Sequence, residues 1–176
     1  MQSAILSIMS RSDLFRGCTT QCHQLIADRL QFHSFKPEAT ILQAGHSDRA
    51  LWIVLSGQCR VIGLTQDAGE IELAQLDPSS IFGELSFFAP AAHRVSVLAK
   101  TEVQVAQFTR DDFDRLAQSE VALAHQLTCN AATILARRLQ RMDELICRTV
   151  AEARMAHHSE WQEFCQLMHT TPDRTR

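Results

Sequence analysis

Five short runs, ALWIVLS, QCRVIGL, IELAQL, RVSVLA and EVQVAQF, crowd the stretch from residue 50 to residue 108. All are rich in β-branched and aliphatic side chains. Across residues 31 to 108 the turn-forming groups KPEA, QAGHSD, SG, QDAG and LDPSS separate such runs. Many short strands at close spacing predict an antiparallel roll or sandwich, not alternating βαβ units.

Helices are expected on both sides of the roll. Residues 3 to 30 read as short helices, with Leu25, Ile26 and Leu30 at helical spacing and SRSDLFRGCT as a break. Phe108 ends the last strand, and Thr109 with Asp112 forms a capping signal. From Asp111 to about His157 there is neither proline nor glycine, which fits a short helix to about Gln118 and then a long one. On the long helix Val121, Leu127, Ile134, Leu135, Leu139, Met142, Leu145, Ile146 and Val150 repeat near a 3.5 to 3.6 period. Two covers are open to that stripe, the chain's own roll or a second copy of the chain, and the second is the expectation.

The predicted class is therefore α+β, mainly β: an antiparallel β-roll of the jelly-roll type with N-terminal helices and a long C-terminal dimerisation helix. The expected divisions are the roll with its flanking helices over 1–118, the long helix over 119–157 and a short tail over 158–176. In the tail a short helix is expected around Trp161 to Met168.

With 45% hydrophobic residues among 176, the chain can bury a sizeable core. Its formal charge of −3 gives no bulk reason to expect nucleic acid or acidic lipid. Six cysteines without a CxxC pair suggest reduced thiols, not a disulfide frame or zinc knuckle. No basic leader and no run of about 20 apolar residues are present, so a cytoplasmic location and no membrane contact are expected.

The most specific stretch is IFGELSFFAPAAHRVSV, residues 81 to 97. Together with LFRGCT, FKPEATILQAGHSDRALWIVLSGQCRVI, DAGEIELAQLDPSS, AKTEVQVAQFTRDDFDRL and ILARRLQ, it resembles the cyclic-nucleotide-binding domains of the catabolite activator protein and protein kinase A regulatory-subunit superfamily. The resemblance covers the chain to about residue 150. It implies a phosphate-binding cassette in the roll, a long helix that closes the pocket and forms a homodimer, and cyclic AMP or cyclic GMP as ligand. No other cofactor and no metal are implied.

The residues support that chemistry on their own terms. Gly83 lets the backbone approach a ligand, and a helix starting near Glu84 would turn the N–H groups of Leu85 and Ser86 toward an anion. An arginine opposite supplies charge-assisted bonds to phosphate. A carboxylate is repelled by phosphate, so Glu84 is expected to hold a hydroxyl, which the resemblance identifies as the ribose 2′-OH. Ser96 is a further candidate hydroxyl.

The cation has two candidates. Counting from Gly83 places the cassette arginine at His93 or Arg94; counting back from Ala99–Thr101 places it at His93. Strand alternation puts His93 on the face of Val95, Val97 and Ala99 and turns Arg94 away, unless a bulge reverses it. An inward histidine makes a weaker, partly charged phosphate ligand. Elsewhere the chain has Glu38 and Ser79 where the family places turn glycines, which implies altered turn geometry. The family's base contacts from the long helix fall on Met142 and Asp143, and Asp143 could accept from an exocyclic amine.

Two functions follow from different classes. One is a stand-alone cyclic-nucleotide sensor that repositions its long helix and signals by protein contact, through an unidentified partner. The other is a roll that has lost its ligand and serves as a dimeric interaction module. A haem or iron–sulfur sensor would need clustered cysteines, and a cupin-type enzyme would need an HxH strand; the sequence has neither. Catalysis is not expected. Specific DNA binding is not expected either, because about 20 residues follow the long helix.

Overall fold

A computed structural model of the chain describes residues 2–65 and 69–152. The N-terminal segment forms α1 (Gln2–Arg11), a single 3-10 turn (Asp13–Phe15) and α2 (Thr20–Ala27). Thr19 starts α2 as its N-cap, its hydroxyl accepting from the Cys22 N–H.

Eight strands follow. They are β1 (Gln31–Phe35), β2 (Thr40–Leu42), β3 (Ala50–Ser56), β4 (Cys59–Thr65), β5 (Gly69–Leu76), β6 (Ile81–Phe82), β7 (Val95–Ala99) and β8 (Val103–Thr109), with the short helix α3 (Glu84–Phe88) between β6 and β7. One sheet has the order β1-β8-β3-β6 and the other β2-β7-β4-β5, with every pairing antiparallel. The chain is thus the mainly-β antiparallel roll that its short, closely spaced strands predict.

Strand β3 shows why this sequence needs helices on one side of the roll. Ala50 to Val54 are all buried. Because side chains alternate, Ala50, Trp52 and Val54 join Val103, Val105, Phe82, Leu42, Cys59, Val97 and Ala99 between the sheets. Leu51 and Ile53 face the other way, into a second core with Met9, Ile26, Phe87, Phe113 and Leu116. A strand buried on both faces must be apolar at consecutive positions, and ALWIVL is.

Helix α4 (Arg110–Ser119) begins where its capping signal places it. The Thr109 hydroxyl accepts from the Asp112 N–H at 3.1 Å and donates to its carboxylate. Helix α5 (Val121–Glu152) follows after a single residue.

The described residues form two compact units divided between Ile134 and Leu135. In the first, Leu123, Ala124, Leu127 and Ala131 of α5 complete the helical core. In the second, α5 carries Leu139, Met142 and Leu145 at 49%, 58% and 60% exposure. No helix among the described residues is long and apolar enough to cross a membrane. The expected tail helix around Trp161 to Met168 lies outside the described residues.

At Glu38 and Ser79 the structure corrects an expectation. The turns keep the left-handed backbone that glycine favours, with φ of 67° and 77°, although neither residue is glycine. Geometry is conserved at the cost of local strain, because the turns between flanking strands fix the chain path more strongly than the residue's own preference. The Ser79 N–H donates to the Val54 carbonyl at 2.9 Å, and the Glu38 N–H to that of Ala99 at 2.8 Å.

Candidate functional site

The cassette begins where β6 pairs with β3, Phe82 opposite Trp52. Their rings stack with centroids 6.0 Å apart. The next residue, Gly83, is the N-cap of α3 at φ 83° and ψ 0°. A Cβ there would lie 2.4 Å from the Ala50 carbonyl oxygen and 3.2 Å from the Trp52 ring. Both the backbone sign and the space demand glycine.

Glu84, Ser86 and Phe87 are buried, whereas Leu85 is 67% exposed. The Ser86 hydroxyl donates to the Gly83 carbonyl at 3.1 Å, and the Phe87 N–H to the same oxygen. The N–H groups of Leu85 and Ser86 belong to the first turn of the helix and have no acceptor within it. At the other end, the guanidiniums of Arg49 and Arg110 donate to the Phe87 carbonyl at 3.0 and 3.3 Å, matching cations to the helix C-terminus. Arg110 also lies over the Phe87 and Phe113 rings, 5.6 and 5.2 Å from their centroids.

The alternation across residues 93 to 99 is resolved in one direction. His93 is buried with Val97 and Ala99, and Arg94 is exposed. His93 is held through its backbone, its N–H donating to the His46 carbonyl at 2.8 Å and its carbonyl accepting from the Gly45 N–H at 2.9 Å. The imidazole Nε2 is 2.6 Å from the Asp48 carboxylate. Ser96 is half-buried, and its hydroxyl accepts from the Ala44 N–H at 3.1 Å. The loop before β3 is thereby laced to the strand that follows the cassette.

Among the described residues six polar or charged side chains are buried, and three of them, Glu84, Ser86 and His93, belong to this one segment. Burying polar groups is costly, so their concentration here marks the segment as more than a turn. Asp143 is exposed on α5 in the second unit, as is Met142. Nothing in HSDRA marks Asp48, whose partner lies 45 positions away.

The remaining chemistry is structural. Burial pushes the Cys59 thiol up to about 11, so it stays protonated, and burial followed by the neighbouring Cys22 raises Cys18. Cys18, Cys22, Cys59, Cys129 and Cys147 are all free thiols. Among the described residues no three His, Cys, Asp or Glu side chains gather as a metal site would require.

Residues 32–120 match the family model described as "Cyclic nucleotide-binding domain". The chain is 29% identical over 134 residues to the CRP-like cAMP-activated global transcriptional regulator of Mycobacterium tuberculosis, covering 76% of this chain and 58% of that protein. It is 30% identical over 147 residues to the cyclic AMP receptor protein of Thermus thermophilus, covering 83% and 66%. The chain thus spans about three-fifths of the length of these relatives. A cyclic nucleotide-binding domain from Methylobacillus flagellatus has the same fold, with a TM-score of 0.76 at 20% identity over 84% of this chain and 83% of that one.

Proposed function

This chain belongs to the cyclic nucleotide-binding domain family, and from that membership we propose that it is a regulatory module that binds a cyclic nucleotide and answers through protein contact. The observation that carries the proposal is the turn at Gly83. It is left-handed, closed to any side chain, and followed at once by a buried carboxylate in the first turn of a helix. Backbone N–H groups of Leu85 and Ser86 receive the phosphate, and Glu84 takes a ribose hydroxyl. His93 supplies the cation, while Arg94, on the outward face, stays in solvent. Ser96 positions the loop at Ala44. The ligand is cyclic AMP or cyclic GMP, and the names of the Mycobacterium and Thermus relatives favour cyclic AMP.

The apolar stripe of α5 carries the second half of the proposal. Leu139, Met142 and Leu145 pair with a second copy of the chain, making a homodimer whose helix bears the signal. The roll with its flanking helices is the ligand-binding part, the helix the output. The proposed setting is cytoplasmic, with no catalysis and no specific DNA contact by this stretch of chain.

One observation favours a second reading. The imidazole that should meet the phosphate is already engaged by Asp48, as it would be in a roll that has given up its ligand for a purely structural contact. A thermal-shift panel of cyclic AMP, cyclic GMP and other nucleotides separates the two. Binding to the native state raises stability by about 2.7 kcal/mol at a hundredfold excess over Kd, whereas the interaction module shows no shift with any of them.

A further inference from the structure

We propose that Asp48 sets which anions the cassette admits: its carboxylate is an internal ligand of His93, and a phosphodiester binds by taking its place. This rests on the cyclic-nucleotide reading and concerns the selectivity of that same site.

The two partners of the 2.6 Å contact are unequal. The His93 side chain is 5% exposed and that of Asp48 47%. The imidazole is fixed, because its backbone is bonded on both sides, to Gly45 and to His46, and the same loop is tied again from Ala44 to Ser96. The Asp48 carboxylate is half in water, and among the described residues it is hydrogen-bonded to His93 alone. It can therefore rotate into solvent while the loop backbone stays bonded, at the loss of one charge-assisted bond that hydration largely replaces.

The surrounding charges make that exchange selective. Arg49, next in sequence, is committed to the Phe87 carbonyl. Arg94, just before β7, is exposed, and His46 is exposed in the loop. Glu84 adds a second acidic side chain to the cassette. An incoming anion thus meets one imidazole already occupied by a carboxylate, and every additional negative charge on the ligand adds repulsion. Asp48 accordingly favours a singly charged cyclic phosphodiester over a doubly charged phosphomonoester such as 5′-AMP.

The test is calorimetric titration of the full chain and of Asp48→Asn with cyclic AMP and with 5′-AMP, with a thermal melt of each to establish folding. Removing one partly screened charge at contact range should tighten cyclic AMP binding about tenfold and 5′-AMP binding by more, so that discrimination between them falls. Imidazole proton–nitrogen spectra should show the His93 Nε2 signal moving on cyclic AMP addition to the wild-type chain. If cyclic AMP binds both proteins equally, or binds the variant more weakly, Asp48 merely positions His93 and the proposal is wrong, while the cyclic-nucleotide reading survives. If folded wild type and variant both fail to bind either nucleotide, the two fall together.

Discussion

Gly83 sits so close against Ala50 that a single added methyl group would reach to 2.4 Å of the Ala50 carbonyl oxygen. The strand that carries Ala50 is buried on both faces, so it cannot retreat. The cassette turn and the centre of the roll are built as one piece.

Gly83→Ala is therefore expected to destabilise the protein by about 2 kcal/mol or more, from the left-handed backbone together with the clash. Gly69, also left-handed at φ 70° but with nothing within 4 Å of its missing Cβ, should cost less when changed to alanine. Chemical denaturation of both variants checks the order.

At the junction of β8 and α4, Thr109→Ala should cost about 1 kcal/mol through loss of the N-cap. The acid limb of stability reports on its partner. Burial alone would raise the Asp112 carboxyl, but hydrogen bonds from Thr109 and Arg115, and the Arg115 charge, outweigh it and hold it below the ordinary carboxylate range. A carboxylate depressed in the folded state stabilises the protein above its unfolded pKa of about 4, and that stabilisation disappears as pH falls through the lower folded value. The stability gap between wild type and Asp112→Asn should thus be full at pH 7 and narrow below about pH 4.

Ser79→Gly should raise stability by up to about 1 kcal/mol, because relief of the left-handed strain exceeds the added freedom of the unfolded chain. Its backbone bond to Val54 is kept. A lower midpoint in denaturant for the variant would show that the turn carries no strain.

For the proposed dimer, Leu139→Glu should give a monomer by light scattering at micromolar concentration, with the melting of the roll little changed. A charged residue there that leaves a dimer intact places the interface elsewhere.

Much of this architecture is legible in the residues. ALWIVLS is β3 residue for residue, since a doubly buried strand needs an unbroken apolar run. The Thr109 cap follows from local chemistry that needs no tertiary context. The first strand, QFHSF, carries a weaker signal: its inward side chains are His33 and Phe35, His33 bonding to Gln107 and leaning on Trp52, and Phe32 is turned to solvent. A polar inward position breaks the alternation that marks a strand. The two-residue β6 is too short to have a period. Within the site, Gly83, Glu84 and Ser86 are marked by their own sequence, and strand parity points to His93. Asp48 is different, because its role depends on a contact between segments 45 residues apart that only the folded register creates. Glu38 and Ser79 show the converse, two positions where the fold imposes a backbone their side chains do not prefer.

The most direct test of the cyclic-nucleotide assignment is calorimetric titration of the wild-type chain and of Glu84→Ala with cyclic AMP and cyclic GMP. The expected result is saturable binding of one nucleotide per chain by the wild type, weakened roughly ten- to a hundredfold in Glu84→Ala by loss of a charge-assisted contact to the ribose. A folded wild-type protein that takes up neither nucleotide, or a Glu84→Ala variant that binds as tightly as the wild type, would contradict it.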